Sequence, residues 1–298
     1  MKPKLIIDTD IGSDVDDAFA LLFALGSPEF DLAAVTLVHA NLDVRAKIAL
    51  KILKMAGRLD VPVAAGCSHT LTPNGGMAWG GHEGTETDFS DVADLRAEPD
   101  GVERIPRLVR ENPGEMVIAP IGPLTNIAEA ILRDPETMKL VRRLVIMASV
   151  FKGLGRDRAA VEHNACVDPD ATAIVLQSGL PITLVGLNVT LQTTLTSRRS
   201  AALRGTPLGD YTANMADQFI SFGGRQATCM HDPLAVAIAV RPEIAVTRRL
   251  KATAVPDRPG AVEFAEPANG EPAIDVVVDI DVPAFEEMFF SRIMEVVS

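Results

Sequence analysis

The feature that most restricts the fold of this chain is an alternation of short apolar runs with longer segments of helical periodicity. The apolar runs are rich in Val, Ile and Leu, as buried strands are, and lie at 4–7, 33–38, 61–64, 116–119, 143–148 and 182–186. The segments with helical spacing lie at 16–25, 43–56, 101–111, 124–133 and 169–178. Strands that are apolar along their whole length need cover on both faces. The pattern therefore predicts an α/β fold with an open, mostly parallel central sheet and helices on both faces, in a Rossmann-like arrangement.

The second half of the chain extends this pattern. Helices are predicted at 198–204, 210–222 and 233–240, strands at 245–254 and 274–280, and a terminal amphipathic helix at 283–297. The region 65–100 has little periodicity, is rich in Gly, Thr and Asp, and is expected to be a loop region over an active site. We see no repeat or linker, so residues 1–298 are expected to form a single domain with a C-terminal extension of sheet and helix.

Composition excludes several classes of function. The 298 residues carry a net charge of −12, so the chain lacks the basic character that binds nucleic acid phosphates. No run approaches the roughly 20 apolar residues of a membrane span, and an aspartate interrupts the first apolar run too early for a signal peptide. The three cysteines are widely spaced and form no metal or disulfide pattern. We therefore expect a cytoplasmic protein that binds neither nucleic acid nor a membrane.

A concentration of aspartates follows the first predicted strand, in the sequence IIDTDIGSDVDDAFAL. Helix capping accounts for part of it, since Asp14 has the position of an N-cap, and Asp16 and Asp17 fall in the first turn, where the helix dipole favours negative charge. Capping does not account for Asp8 and Asp10, at the carboxyl end of the strand, where α/β folds bind ligands. Oxygen donors alone suit a hard cation such as Ca²⁺ or Mg²⁺. The cluster therefore predicts a metal site.

Two metal-binding families share parts of this pattern. A D-x-D sequence after the first strand is similar to that of haloacid-dehalogenase-type phosphatases, in which the first Asp accepts a phosphoryl group and the second is an acid or base. That family also has a downstream lysine and a further acidic pair, and this chain fits the pattern loosely. A phosphatase is therefore kept as an alternative.

The chain resembles the nucleoside hydrolases of the inosine-uridine preferring type over a much greater length. The resemblance rests on motifs in order: DTDIGSDVDDAFAL after the first strand, VHANLD at 38–43, HEG at 82–84, IAPIGPLTNIAEAI at 118–131, LVIMASV at 144–150, VEHNACVDPDAT at 161–172 and MHDPLAVA at 230–237. It implies Ca²⁺-dependent hydrolysis of the N-glycosidic bond of ribonucleosides, which gives ribose and free base. It also implies a homodimer or homotetramer.

The resemblance implies a role for each matching residue. The Ca²⁺ ligands would be Asp10, Asp17, the backbone carbonyl of Ile121, and Asp232, with Asp10 also the general base on a metal-bound water. The ribose hydroxyls would be held by Asp16, Asn41, Glu162 and Asn164. Met147 would lie against the sugar, His82 would belong to the loop over the substrate, and His231 would help the leaving base to depart. The acidic pocket around Glu162 should repel a 5′-phosphate, which favours nucleosides over nucleotides.

One departure from the family pattern affects these assignments. The family sequence D-x-D-x-G-x-D-D is here D-x-D-x-G-S-D-V-D-D, two residues longer. We align the Asp16-Asp17-Ala18 end, since it leads into the apolar helix, and interpret Asp14 as the helix N-cap. Asp168 and Asp232 each precede a proline, as N-caps often do; we keep that interpretation for Asp168 and favour the metal role for Asp232. A non-catalytic nucleoside-binding protein on the same scaffold is a further alternative, and the base preference is open.

Overall fold

The predicted strands assemble into a large central sheet. The computed structural model describes residues 2–73, 84, 87–222 and 224–298. Its strands are β1 (Lys4–Thr9), β2 (Asp31–Leu37), β3 (Val63–Ala65), β4 (Met116–Pro120), β5 (Arg143–Met147), β6 (Ala160–Val161), β7 (Ile182–Val185), β8 (Thr194–Thr196), β9 (Ala227–Cys229), β10 (Ala245–Ala254), β11 (Ala261–Ala265) and β12 (Ile274–Ile280).

Strand order shows how the sheet is built. Within the described ranges, ten strands follow the order β3-β2-β1-β4-β5-β7-β12-β10-β11-β6, and β8 pairs with β9 in a separate antiparallel ribbon. Every pairing from β3 to β12 is parallel, and the pairings of β10 with β12, β11 with β10 and β6 with β11 are antiparallel. The sheet is thus mostly parallel, as predicted, with an antiparallel extension built largely from the C-terminal part of the chain.

Helices cover both faces of this sheet. They are α1 (Asp16–Leu25), α2 (Leu42–Met55), α3 (Gly101–Glu111), α4 (Thr125–Arg133), α5 (Pro135–Met138), α6 (His163–Val167), α7 (Pro169–Gln177), α8 (Leu187–Thr190), α9 (Ser197–Ser200), α10 (Pro207–Phe222), α11 (His231–Val240) and α12 (Val282–Val297). Short 3-10 helices lie at Ser90–Val92, Arg156–Arg158, Ala201–Leu203 and Pro242–Ile244. On one face α1 packs against α11 and α12, and on the other α4 packs against α3 and α7.

The alternation of side chains along β1 explains why both faces need helices. Leu5 and Ile7 enter the core beneath α1, whereas Ile6 enters the core on the opposite face. In the first core, the ring of Phe289 from α12 lies 5.9 Å from Phe19 and 6.5 Å from Phe23, between ring centroids. Burial of each such side chain stabilises the fold by about 1.5–3 kcal/mol. The terminal helix therefore completes the core that supports α1.

Most predicted elements are confirmed, and the differences concern short segments. The predicted helices at 16–25 and 101–111 and the predicted strands at 245–254 and 274–280 have the bounds of α1, α3, β10 and β12. The prediction at 198–204 is a four-residue helix, α9, followed by a 3-10 turn. The strands β6, β8, β9 and β11 were not predicted, because two to five residues give little periodicity. No helix in the described ranges is long and apolar enough to cross a membrane. That the chain forms a single domain stays a prediction.

Candidate active site

The topology creates a crevice at the carboxyl end of β1. From β1 the chain proceeds to β2 and β3 on one side, and then returns to β4 and β5 on the other. Loops that leave neighbouring strands in opposite directions open a cleft at this switch point, where α/β folds bind ligands. Asp10 directly follows β1, Ile121 directly follows β4, and Met147 is the last residue of β5. Predicted site residues far apart in sequence are therefore brought to one edge of the sheet.

A cavity of about 350 Å³ lies in this crevice. That volume falls within the range of small-molecule sites. Its lining includes the predicted residues Asp10, Asp16, Asp17, Ile121, Met147, Glu162, Asn164, His231 and Asp232. It also includes Ser13, Asp14, His163, Leu187, Phe219 and Arg225, which the sequence interpretation had not assigned to the site. Most of the predicted catalytic, metal and sugar-binding side chains therefore face a common space.

Three carboxylates converge at the floor of this cavity. Asp16, Asp17 and Asp232 each offer an oxygen within 4.8 Å of the others, and all three side chains are buried. The backbone N–H of Asp232 donates to Oδ2 of Asp16 at 3.2 Å, which ties the start of α11 to the start of α1. The hydroxyl of Thr9 donates to Oδ1 of Asp17. The prediction had divided these acids between sugar and metal, and the structure brings all three close enough to share an ion.

Burial and mutual repulsion dominate the electrostatics of the cluster. The pKa values of Asp16, Asp17 and Asp232 are raised well above the ordinary value, first by loss of hydration and then by the neighbouring carboxylates. Such a group of acids is costly to ionise together in a buried site. A divalent cation would relieve that cost, and a set of oxygen donors alone matches the preference of a hard cation. The residues therefore fit a site for a hard divalent cation.

Asp8 and Asp10 differ although they are two residues apart. Asp8 is fully buried, and its Oδ1 accepts hydrogen bonds from the Thr36 hydroxyl at 2.5 Å and from Asn126 Nδ2 at 2.7 Å. Burial raises the pKa of Asp8 to about 7 despite these bonds. Asp10 lines the cavity, and its Oδ2 lies 3.9 Å from Nη2 of Arg45. Asp8 therefore supports the strand end from within the fold, whereas Asp10 is available to a ligand.

The Asp14 carboxylate lies at the start of α1, where the sequence predicts a helix cap. The N-cap of α1 is Val15, which has helical backbone angles and accepts from the backbone N–H of Ala18 at 3.1 Å. The Asp14 carboxylate accepts from the backbone N–H of Val15 at 2.5 Å, and a hydrogen bond from the backbone N–H of Asp16 also acts to lower its pKa. Burial raises the pKa of Asp14 to about 7. Asp14 therefore binds the first N–H groups of the helix and also lines the cavity. Asp168 is the N-cap of α7, as predicted, and accepts from Ala171 N.

Glu162 and Asn164 form a rigid side of the cavity. The Glu162 carboxylate is the N-cap of α6 and accepts from the backbone N–H groups of Ser149, Asn164 and Ala165. Burial raises its pKa in spite of those bonds. Asn164 Nδ2 donates to the backbone carbonyl of Ile121 at 2.8 Å and to that of Met147 at 3.1 Å. The loops after β4 and β5 are thus fixed to the start of α6.

His231 lies at the start of α11, beside Asp232. Its Nδ1 is 2.6 Å from the hydroxyl oxygen of Thr190, the last residue of α8. Burial lowers the pKa of His231 to about 4, so the ring is neutral at neutral pH. A neutral ring held through Nδ1 has its other nitrogen free to face a ligand.

One predicted substrate residue, Asn41, is not among the residues that line the cavity. Asn41 is the N-cap of α2, and its Oδ1 accepts from the backbone N–H of Val44 at 3.2 Å. It is exposed and does not line the cavity described above. His82 lies outside the described residues. Phe219 and Arg225 were missed because they belong to a stretch without a recognisable motif; the Arg225 guanidinium lies 4.4 Å from the centroid of the Phe219 ring.

Comparisons with known proteins agree with this geometry. The sequence model of the family described as inosine-uridine preferring nucleoside hydrolase matches residues 5–287. A probable uridine nucleosidase 2 from Arabidopsis thaliana is 30% identical, over 99% of this chain and 98% of its own. A pyrimidine-specific ribonucleoside hydrolase from Citrobacter koseri is also 30% identical, over 98% of each chain.

A solved structure extends the likeness to the whole fold. The purine-preferring ribonucleoside hydrolase from Gardnerella vaginalis has a TM-score of 0.88 and 32% identity, over 99% of each chain. The mixed sheet, with its C-terminal antiparallel strands, thus has a close counterpart of similar length. These comparisons favour the nucleoside hydrolase interpretation of the aspartate motif over the phosphatase interpretation.

Proposed function

The chain belongs to the inosine-uridine preferring nucleoside hydrolase family, and from this premise we propose that it hydrolyses the N-glycosidic bond of ribonucleosides with a Ca²⁺ ion in its acidic cluster. The observation that carries the proposal is the convergence of the buried aspartates, Glu162, Asn164 and His231 on one cavity of about 350 Å³. The relatives include a pyrimidine-specific and a purine-preferring enzyme at similar identity, so the substrate class proposed is ribonucleosides as a whole.

The proposed ligands of the cation are Asp10, Asp17, Asp232 and the carbonyl of Ile121. When bound, Ca²⁺ would orient two ribose hydroxyls and lower the pKa of a water beside Asp10. The structure supports this set because all four residues line the cavity and two of the carboxylates lie within 4.8 Å of each other. Asp16 belongs to the same cluster, and we propose that its carboxylate accepts hydrogen bonds from the ribose.

Asp10 is proposed as the general base. It removes a proton as the water oxygen attacks the anomeric carbon, and the bond from that carbon to the base nitrogen breaks with its electron pair passing to the base. Positive charge develops on the sugar ring in this step. The carboxylates of Asp16 and Glu162 accept hydrogen bonds from backbone N–H groups, which fix their orientation. They therefore stabilise the positive charge on the sugar without first having to reorient.

We propose that Asn164, Glu162 and Asn41 bind ribose hydroxyls, with Met147 against the sugar and His82 in the loop over the substrate. Asn41 would have to approach the sugar from the rim, because it lies outside the described cavity. His231 would assist the leaving base: if the Thr190 hydroxyl donates to Nδ1, the proton of the neutral ring is on Nε2, which can donate to the base.

The decisive experiment is a release assay with matched variants. The protein is incubated with uridine, cytidine, inosine, adenosine and guanosine, and with uridine 5′-phosphate, in Ca²⁺ or in chelator, and free base is measured by chromatography. We expect base release from at least one nucleoside in Ca²⁺, loss of release in chelator, and little release from the nucleotide. Asp10→Asn should lower kcat by a factor of about 10² or more, whereas exposed Asp60→Asn should leave it unchanged.

Each part of the proposal has its own contrary result. No release from any nucleoside would support a non-catalytic binding protein. Full turnover in chelator would contradict the role of the cation, and full turnover by Asp10→Asn would contradict the assignment of the base. The expectations of a homodimer or homotetramer and of a cytoplasmic location stay predictions.

A further inference from the structure

A fully buried arginine lies behind the acidic loop. Arg45 is in the first turn of α2 and has 0% exposure. Its Nη1 donates to the carbonyl of Ile11 at 3.0 Å and its Nη2 to the hydroxyl of Ser13 at 2.9 Å, while Nε donates to the carbonyl of His39 at 2.7 Å. The guanidinium therefore binds two separate loops at once, in the planar fork geometry that arginine provides.

Those two loops carry residues of the proposed site. Ile11 and Ser13 follow Asp10 in the loop after β1, and His39 precedes Asn41 in the loop after β2. We propose that Arg45 is a positioning residue that holds the loop of Asp10 and the loop of Asn41 in register, so that the cation and the sugar are bound in one fixed arrangement. This inference rests on the proposed function and assigns a role to a residue outside the cavity.

The backbone of the second loop gives a reason why such a tie is needed. His39 and Ala40 have φ angles of 68° and 55°, which side chains other than glycine rarely adopt. Their backbone N–H groups donate to the carbonyls of Cys67 at 2.7 Å and Ser68 at 2.9 Å. The His39 carbonyl, which accepts from Arg45, belongs to the same peptide unit as the Ala40 N–H and points to the opposite side of it. Strained backbone persists only where its surroundings hold it.

A role as a positive charge and a role in positioning the loops predict opposite effects on Ca²⁺ binding when Arg45 is removed. An arginine side chain carries a positive charge, and Nη2 of Arg45 lies 3.9 Å from Oδ2 of Asp10. If Arg45 acted only as a positive charge, its removal would strengthen Ca²⁺ binding, since like charges repel. If it positions the loops, its removal weakens Ca²⁺ binding, because the oxygen donors are no longer held in place. Lysine keeps the charge but cannot reproduce the fork.

The test compares Arg45→Lys and Arg45→Met with a matched control, Arg104→Lys. Arg104, in α3, is also buried, with 6% exposure, and its guanidinium binds Asp100 and Glu98, which precede that helix and do not line the cavity. Three quantities are measured: the Ca²⁺ dissociation constant by calorimetry, kcat and KM for a ribonucleoside that the wild type cleaves, and the melting temperature. We expect both Arg45 variants to weaken Ca²⁺ binding and to lower kcat, each by about tenfold or more, while Arg104→Lys changes only the melting temperature.

Each outcome is informative. Arg45→Lys with the Ca²⁺ affinity and kcat of Arg104→Lys would overturn the inference, as would tighter Ca²⁺ binding by Arg45→Met. If the methionine variant does not fold, the lysine variant decides, with Ser13→Ala as a milder loss of one partner that should shift both quantities in the same direction. A wild type that binds Ca²⁺ but releases no base would contradict the proposed function, and the affinity comparison would still decide the role of Arg45.

Discussion

The burial of Asp8 predicts that the metal-free protein loses stability as the pH rises. Its carboxylate is 0% exposed; Oδ1 accepts two hydrogen bonds, and Oδ2 has no partner among the described residues. These conditions favour the neutral acid, and burial raises its pKa from 3.8 to about 7. The proposed perturbation is Asp8→Asn, which keeps the shape and the acceptor oxygen but removes the titration.

The sign and size of the effect follow from proton linkage. Between pH 4 and pH 7 the folded protein retains a proton on Asp8 that the unfolded chain releases, so the free energy of unfolding falls as the pH rises. Asp8 contributes its full stabilisation at pH values below the pKa that it has in the unfolded chain. This stabilisation is lost once the pH rises past about 7, the pKa of Asp8 in the folded protein. Because one pKa unit corresponds to about 1.4 kcal/mol, a rise from 3.8 to about 7 amounts to about 4 kcal/mol.

The assay is urea denaturation of metal-free wild type and Asp8→Asn from pH 4 to pH 8. The difference between their unfolding free energies should change by about 4 kcal/mol across this range, in the direction that favours the variant at high pH. Acids that do not interact with Asp8 contribute equally to both proteins and cancel in the difference; Asp10, whose charge raises the pKa of Asp8, is the last and smallest of the named causes of its shift. Thr36→Val removes a hydrogen bond that lowers the pKa of Asp8, and should move the transition to higher pH. Parallel curves for wild type and Asp8→Asn would refute the reasoning.

Three further predictions concern the site itself. A Cβ at Gly122 would lie 2.8 Å from the backbone N and 2.9 Å from Oδ1 of Asp10, so Gly122→Ala should lower kcat about tenfold or more; an unchanged kcat would show that Asp10 tolerates displacement. Thr190→Val should lower kcat by about tenfold with little change in KM, and Thr190→Ser should restore it, if the hydroxyl orients His231. Ca²⁺ at 100 times its dissociation constant should add about 2.7 kcal/mol to the unfolding free energy, seen as a higher melting temperature that chelator reverses; an unshifted transition would argue against binding to the folded state.

The parallel part of the sheet could be predicted because each of its longer strands carries its own signal. Residues 5–7 and 116–119 are continuously apolar, as strands covered on both faces must be, and they lie in β1 and β4. The ribbon of β8 and β9 could not be predicted in this way. Its strands have three residues each, and they pair across a separation that local periodicity does not encode.

In the candidate site too, some residues could be predicted from the local sequence and others could not. Asp10 could be placed because it follows the first predicted strand, at the edge where α/β folds bind ligands, whereas Ile121 was assigned through the resemblance to the family motif. That Asp14 also lines the cavity could not be predicted, because its side chain meets the other cavity residues only after the chain has folded. Arg45 was missed because its partners lie in loops that α2 meets only after folding.

The two additional residues of the aspartate motif lie in the loop before α1. The helix α1 begins at Asp16, so the Asp-Asp-Ala sequence opens it, and the added residues lie in the loop that contains Gly12, with φ of 110°, and Asp14. Successive residues in a helix point about 100° apart, which lets Asp16 meet the N–H of Asp232 while Asp17 meets Thr9. An alignment without the gap would place Val15, which cannot coordinate an ion, at one of these positions. The start of the helix therefore supports the gapped alignment, which gives Asp16 and Asp17 the proposed sugar and metal roles, while Asp14 lines the same cavity.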